Sequence, residues 1–171
     1  MANILIWSLS LPEPLENKTV LITGAAHRIG AHMAKILHQQ GANIILHYRN
    51  SKTTAESLQS ELNMRRPDSV YLVQGDLLDT DSIDNIIEQT LQQAGHLDVL
   101  INTASSFYPT PVGSVSEQQW DDLVGTTMKA PFFLSQAAAP HLQKQHGCID
   151  NIVDIHAERP LRQYPVYSMA K

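Results

Sequence analysis

The chain has 171 residues, 43% of them apolar, which suits one folded domain with a sizeable core and not a disordered segment. A formal net charge of −5 without any Lys/Arg-rich run gives no electrostatic case for nucleic acid. A single cysteine, Cys148, excludes an internal disulfide framework and agrees with a reducing cytoplasm; set in an apolar run, it is expected to be a small core residue.

In chain order, residues 1–17 come first. Their apolar stretch is short, lacks a basic start and is stopped by Pro12-Glu13-Pro14, so it is neither a signal peptide nor a membrane span. It reads as an N-terminal extension ahead of a domain over 18–171, or as an overlong start. "TVLITG" is then a buried strand ending in a glycine. Ile29, Met33, Ile36 and Leu37 recur at helical spacing up to Gly41, a C-terminal cap. "NIILHY" is a second strand, and Ala55, Leu58 and Leu62 mark the next helix. "SVYLVQGD" is a third strand; Ile83, Ile86, Ile87 and Leu91 form another apolar stripe, closed at Gly95. "LDVLINTA" is the fourth strand. A long helix is expected from the N-cap Ser116 to Leu142, followed by a fifth strand, "CIDNIVDI", and a helix starting at Tyr167.

Strands alternating with helices mean parallel strands joined by right-handed crossovers: an α/β, doubly wound, Rossmann-like sheet. The fifth strand would lie at an edge although it is apolar on both faces, which predicts a missing sixth strand.

"TGAAHRIG" follows the first strand and opens the first helix. Gly24 permits a tight turn, Gly30 lets the helix pack close to the sheet, and the helix N-terminus offers N–H groups to a pyrophosphate. At the end of the second strand, "HYRNS" has no carboxylate to repel a 2′-phosphate, whereas Arg49 and Ser51 can bind one. NADP(H) is therefore the expected cofactor. Asp76, in "QGDL", can accept from an adenine amino group. The eight histidines show no metal-ligand spacing. Near the end, Tyr167 and Lys171 stand one helical turn apart, a spacing at which the cation can lower the phenol's pKa.

From Lys18 onward the chain resembles the short-chain dehydrogenase/reductase superfamily, and most of all pteridine reductases, in "TGAAHRIG", "NTASSFYPTP" and "NIVDIHAERPLRQYPVYSMAK". In the wider superfamily a serine usually stands thirteen positions before the active tyrosine; here, as in pteridine reductases, it is Asp154. The resemblance implies hydride transfer from NADPH to a pterin or folate-like ring, with Asp154 and Tyr167 protonating the neighbouring nitrogen. Lys171 would hold the nicotinamide ribose and lower the tyrosine pKa. A keto reductase of the same superfamily, or an inactive cofactor-binding fragment, is the alternative.

The resemblance also implies that Phe107 stacks the substrate against the nicotinamide, with Arg28 and Ser105 contacting both cofactor and pterin. The remaining cofactor contacts it implies are Gly24, Ile29, Gly30, Tyr48, Arg49, Asn50, Ser51, Asp76, Leu77, Asn102 and Ala104, together with Tyr167 and Lys171. Tyr108 is expected to line the same pocket. One position departs from the superfamily: the helix asparagine that anchors a relay water is Thr127 here. Pro131 has no N–H for the carbonyl four residues earlier, so a bend freeing the Thr127 carbonyl is expected. The resemblance also implies that the full-length protein is a homotetramer. No membrane association and a cytoplasmic location are expected. Because Lys171 is the last residue, the chain is expected to be the N-terminal part of a longer reductase.

Overall fold

The computed structural model describes residues 14–171. Residues 1–13, most of the expected extension, lie outside the described residues. Within the rest of it, the Leu15 N–H donates to the Gln40 carbonyl (2.9 Å) and the Leu15 side chain packs on the core.

Five parallel strands form one sheet in the order β3-β2-β1-β4-β5. They are β1 (Thr19–Ile22), β2 (Asn43–Tyr48), β3 (Val70–Gln74), β4 (Val99–Asn102) and β5 (Cys148–Asn151). Between them run α1 (Arg28–Gln39), α2 (Lys52–Asn63), α3 (Thr80–Ala94), α4 (Glu117–Val124) and α5 (Ala130–Gln145); α6 (Pro165–Ala170) follows β5.

Strand periodicity sorts the core into two layers. Leu21, Ile45, Val73 and Leu100 face Ile83, Ile86 and Ile87 of α3 and Leu134, Ala138 and Leu142 of α5. On the opposite face, Val20, Ile22, Ile44, Leu46 and Ile101 meet Ala34 of α1 and Leu58 and Leu62 of α2. Each fully buried Leu or Ile contributes about 1.5–3 kcal/mol relative to exposure. This helix-sheet-helix sandwich is the Rossmann-like arrangement that the sequence predicts.

Two expectations need correcting. Cys148 is exposed, because β5 is an edge strand and covers little of its own surface. The long helix is also not continuous. Ser116 does start it with a capping box closed by Gln119, but a π-helical turn, Gly125–Lys129, separates α4 from α5. There the Ala130 N–H donates to the Gly125 carbonyl, five residues back. Pro131, which cannot donate to Thr127, follows directly, and widening the turn relieves the clash that its ring would make.

Candidate active site

The carboxyl ends of the five strands open into a cavity of about 750 Å³. Strand order reverses between β1 and β4, the switch point where doubly wound sheets take their ligands. The loops after these two strands are tied together by Thr23, which is fully buried. Its Oγ1 accepts from the N–H groups of both Thr103 and Ala104 (3.0 Å each).

Close packing explains the glycines here. Gly24 has φ +64°, and a Cβ on it would meet the Ala104 Cα at 3.1 Å; a Cβ on Gly30 would meet the Gly24 carbonyl oxygen at 2.7 Å. The loop therefore turns tightly under the N-terminus of α1. No side chain caps that helix and no acidic residue sits in its first turn, so its leading N–H groups are free to meet an anion. Gly24, Arg28, Ile29 and Gly30 line the cavity, as do Arg49 after β2 and Asp76 and Leu77 after β3. Arg49 Nη1 lies 3.7 Å from Asp76 Oδ1, which also accepts from the Leu78 N–H (3.0 Å). The donor set fits a dinucleotide: uncapped helix amides and Arg28 for phosphates, and Arg49 with no carboxylate at the end of β2.

At the other end of the cavity, the Tyr167 hydroxyl donates to Asp154 Oδ2 at 2.7 Å. Lys171 Nζ donates to the Ile152 carbonyl (2.9 Å) and lies 5.9 Å from the Tyr167 ring centre. Helix α6 presents Tyr167 by packing Val166 and Tyr167 against Leu123 of α4. Burial, then the hydrogen bond to Asp154 and its negative charge, push the Tyr167 phenol above its ordinary value. The expectation that Lys171 lowers it is thereby corrected: the adjacent carboxylate and burial outweigh a cation bonded elsewhere. Asp154 moves the other way. The His156 N–H (3.0 Å), then the Tyr167 hydroxyl, hold its carboxyl below the usual range. Burial lowers the Lys171 ammonium, against the opposing pull of Asp154. The resting pair is thus a neutral phenol donating to a carboxylate.

Phe107, 52% exposed, stacks on Tyr164 (centroids 4.7 Å, 19°) and meets the Tyr167 ring edge-on (4.8 Å, 76°). Ala104, Ser105 and Phe107 share the cavity with Asp154, Tyr167 and Lys171. Ser105 Oγ also exchanges a hydrogen bond with Thr127 Oγ1 (3.2 Å).

Four expected cofactor contacts do not line the cavity. Tyr48 is buried against Ala26 and Ala55. Asn102 is buried and donates to Asn151 Oδ1 (2.9 Å). Asn50 and Ser51 stand at the start of α2. Tyr108 is a further correction. It donates to Asp122 Oδ2 (2.9 Å) beside a separate hollow, and burial together with that carboxylate pushes its phenol up to about 12. Residues that sequence reasoning missed include Thr23 and Tyr164. Only Tyr164 left a signal, an aromatic three positions before Tyr167.

Among the described residues, no helix is long and apolar enough to cross a membrane, and no cluster of His, Cys, Asp or Glu could hold a metal.

Comparison with known proteins agrees with this architecture. The short chain dehydrogenase family model matches residues 18–171. Pteridine reductase 1 of Leishmania tarentolae is 35% identical, over 88% of this chain and 65% of that protein. The 3-oxoacyl-acyl-carrier-protein reductase FabG of Staphylococcus aureus is 33% identical, over 81% of this chain and 56% of that protein. An uncharacterized oxidoreductase of the same species is 30% identical over 92% of the chain. The chain thus spans less than two thirds of the length of the first two relatives. It belongs to the short chain dehydrogenase family, oxidoreductases that use nicotinamide cofactors.

Proposed function

We propose that the protein carrying this chain is an NADPH-dependent reductase of pterins, of the dihydropterin or dihydrofolate type. The observation that carries this reading is the 2.7 Å hydrogen bond between Tyr167 and Asp154 beside the exposed face of Phe107. A serine at position 154 would mainly orient a carbonyl. A carboxylate can also carry a proton, which a ring nitrogen needs.

NADPH, when bound, supplies a hydride to the ring carbon. The amides of α1 and Arg28 would hold its diphosphate, and Arg49 would meet its 2′-phosphate. Phe107, backed by Tyr164 on one face, offers the other to a flat heterocycle. Tyr167 gives its phenolic proton to the neighbouring nitrogen. The resulting phenolate faces the Asp154 carboxylate, and two adjacent negative charges raise the proton affinity of the pair. Asp154 then takes a proton from water and returns it to Tyr167. Lys171 supplies a nearby positive charge throughout. One hydride and one proton are added per turnover, so the substrate loses one C=N double bond.

Reduction of a keto substrate is the second reading, favoured by the likeness to the 3-oxoacyl reductase. Substrate-dependent NADPH oxidation separates the two. Dihydrobiopterin or dihydrofolate should drive it, with simple keto compounds far behind; a keto compound turned over faster than either pterin would overturn the proposal.

A further inference from the structure

His47, next to last in β2, is a polar residue buried in the core, 2% exposed. The Gly24 N–H points at Nδ1 (3.3 Å), and Nε2 lies 3.2 Å from the Gly75 carbonyl oxygen. A peptide N–H can only donate and a peptide carbonyl can only accept. Both contacts hold together only if Nδ1 is bare and Nε2 carries the hydrogen. The imidazole is therefore neutral and in a single tautomer. The His47 backbone carbonyl also accepts from the Ala25 N–H (2.9 Å). One residue thus joins the loop after β1, the end of β2 and the loop after β3.

Each joined segment faces the cavity. Gly24 is the positive-φ turn under α1, and Gly75 precedes Asp76, which sits 3.7 Å from Arg49. We propose that His47 is a positioning residue for the adenosine end of the cofactor, bridging the glycine turn to the Gly75–Asp76 segment and so placing Arg49 for a 2′-phosphate. This rests on the NADPH reading given above. Asp76 and Arg49 are the charged groups on the loops beside the ring, the carboxylate favouring imidazolium and the guanidinium opposing it. Burial dominates and lowers the ring's pKa to about 4, in keeping with the neutral bridge.

The test has two parts. In the cofactor-free protein, the ¹⁵N shifts of His47 should show the Nε2–H tautomer, with no protonation down to about pH 5. Dissociation constants for NADPH and NADH, measured by fluorescence, should show that His47→Leu weakens NADPH by about tenfold or more and NADH by about threefold at most. His47→Gln, which keeps one donor and one acceptor, should recover most of that loss. A wild-type protein binding both cofactors alike would remove the NADPH reading and this proposal with it. If the wild type prefers NADPH, a proton on Nδ1, titration near pH 6.5 or equal weakening of both cofactors by His47→Leu would overturn the positioning role alone. Should His47→Leu fail to fold, the wild-type tautomer and His47→Gln decide: the wrong tautomer, or a Gln variant that weakens both cofactors equally, overturns the proposal.

Discussion

A phenol beside a carboxylate gives up its proton reluctantly, and once it has done so the phenolate is the stronger base of the two, so a proton taken up by the carboxylate passes on to it. That exchange is why Tyr167 and Asp154 act as one unit; the hydrogen bond between them adds to both of their opposite displacements, after burial for Tyr167 and after the His156 N–H for Asp154. His47 makes a different use of a buried titratable group. Its pKa is lowered from 6.5 to about 4, so its contribution to stability is fully present above pH 6.5 and is lost as pH falls from 6.5 toward 4. A shift of this size corresponds to about 3 kcal/mol across that window. The charged neighbours Asp76 and Arg49 stay in place in a His47→Gln variant, so urea midpoints measured across the window should fall less steeply with acid in the variant. Equal slopes in the two proteins would show that His47 does not carry the dependence.

At the scale of elements, the π turn Gly125–Lys129 replaces the single helix that the apolar periodicity suggests. Periodicity reports which residues face the core, and both helices keep that face through Leu123, Leu134 and Leu142. It does not report a one-residue widening, which Pro131 foreshadows only through its missing N–H. Thr127 lies in that turn, where its hydroxyl pairs with Ser105. If the backbone carbonyl at position 127 anchors the proton relay, Thr127→Asn changes turnover by less than tenfold, about 1.4 kcal/mol. A larger gain, read from kcat in steady-state assays, would mean that the amide side chain is what matters. Strand β2 was legible to the residue, Asn43–Tyr48, because a central parallel strand is apolar on both faces. Strand β5 ends at Asn151, short of the apolar run, because Ile152–Asp154 leave the sheet to line the cavity. Apolar content alone does not say which neighbours a strand has; among the described residues β5 pairs only with β4, and Cys148 stands exposed there.

For the whole molecule, the sheet order carries the functional argument. It gathers residues from Gly24 to Lys171 at one end of five strands, across the switch between β1 and β4. Gly24, Gly30, Arg49, Tyr167 and Lys171, which line the cavity, were legible from spacing along the chain or position after a strand, and Asp154 from the family resemblance. Thr23 and His47 were not, because their roles depend on partners brought close only by folding, such as Thr103 and Gly75. The most direct measurement of the central claim is the turnover of dihydrobiopterin with NADPH by the protein and by its Asp154→Ser variant, alongside NADPH affinity. Loss of a positioned proton carrier should lower kcat by about a hundredfold or more while the NADPH dissociation constant stays within about twofold. An Asp154→Ser variant that keeps wild-type turnover of the pterin would contradict the account.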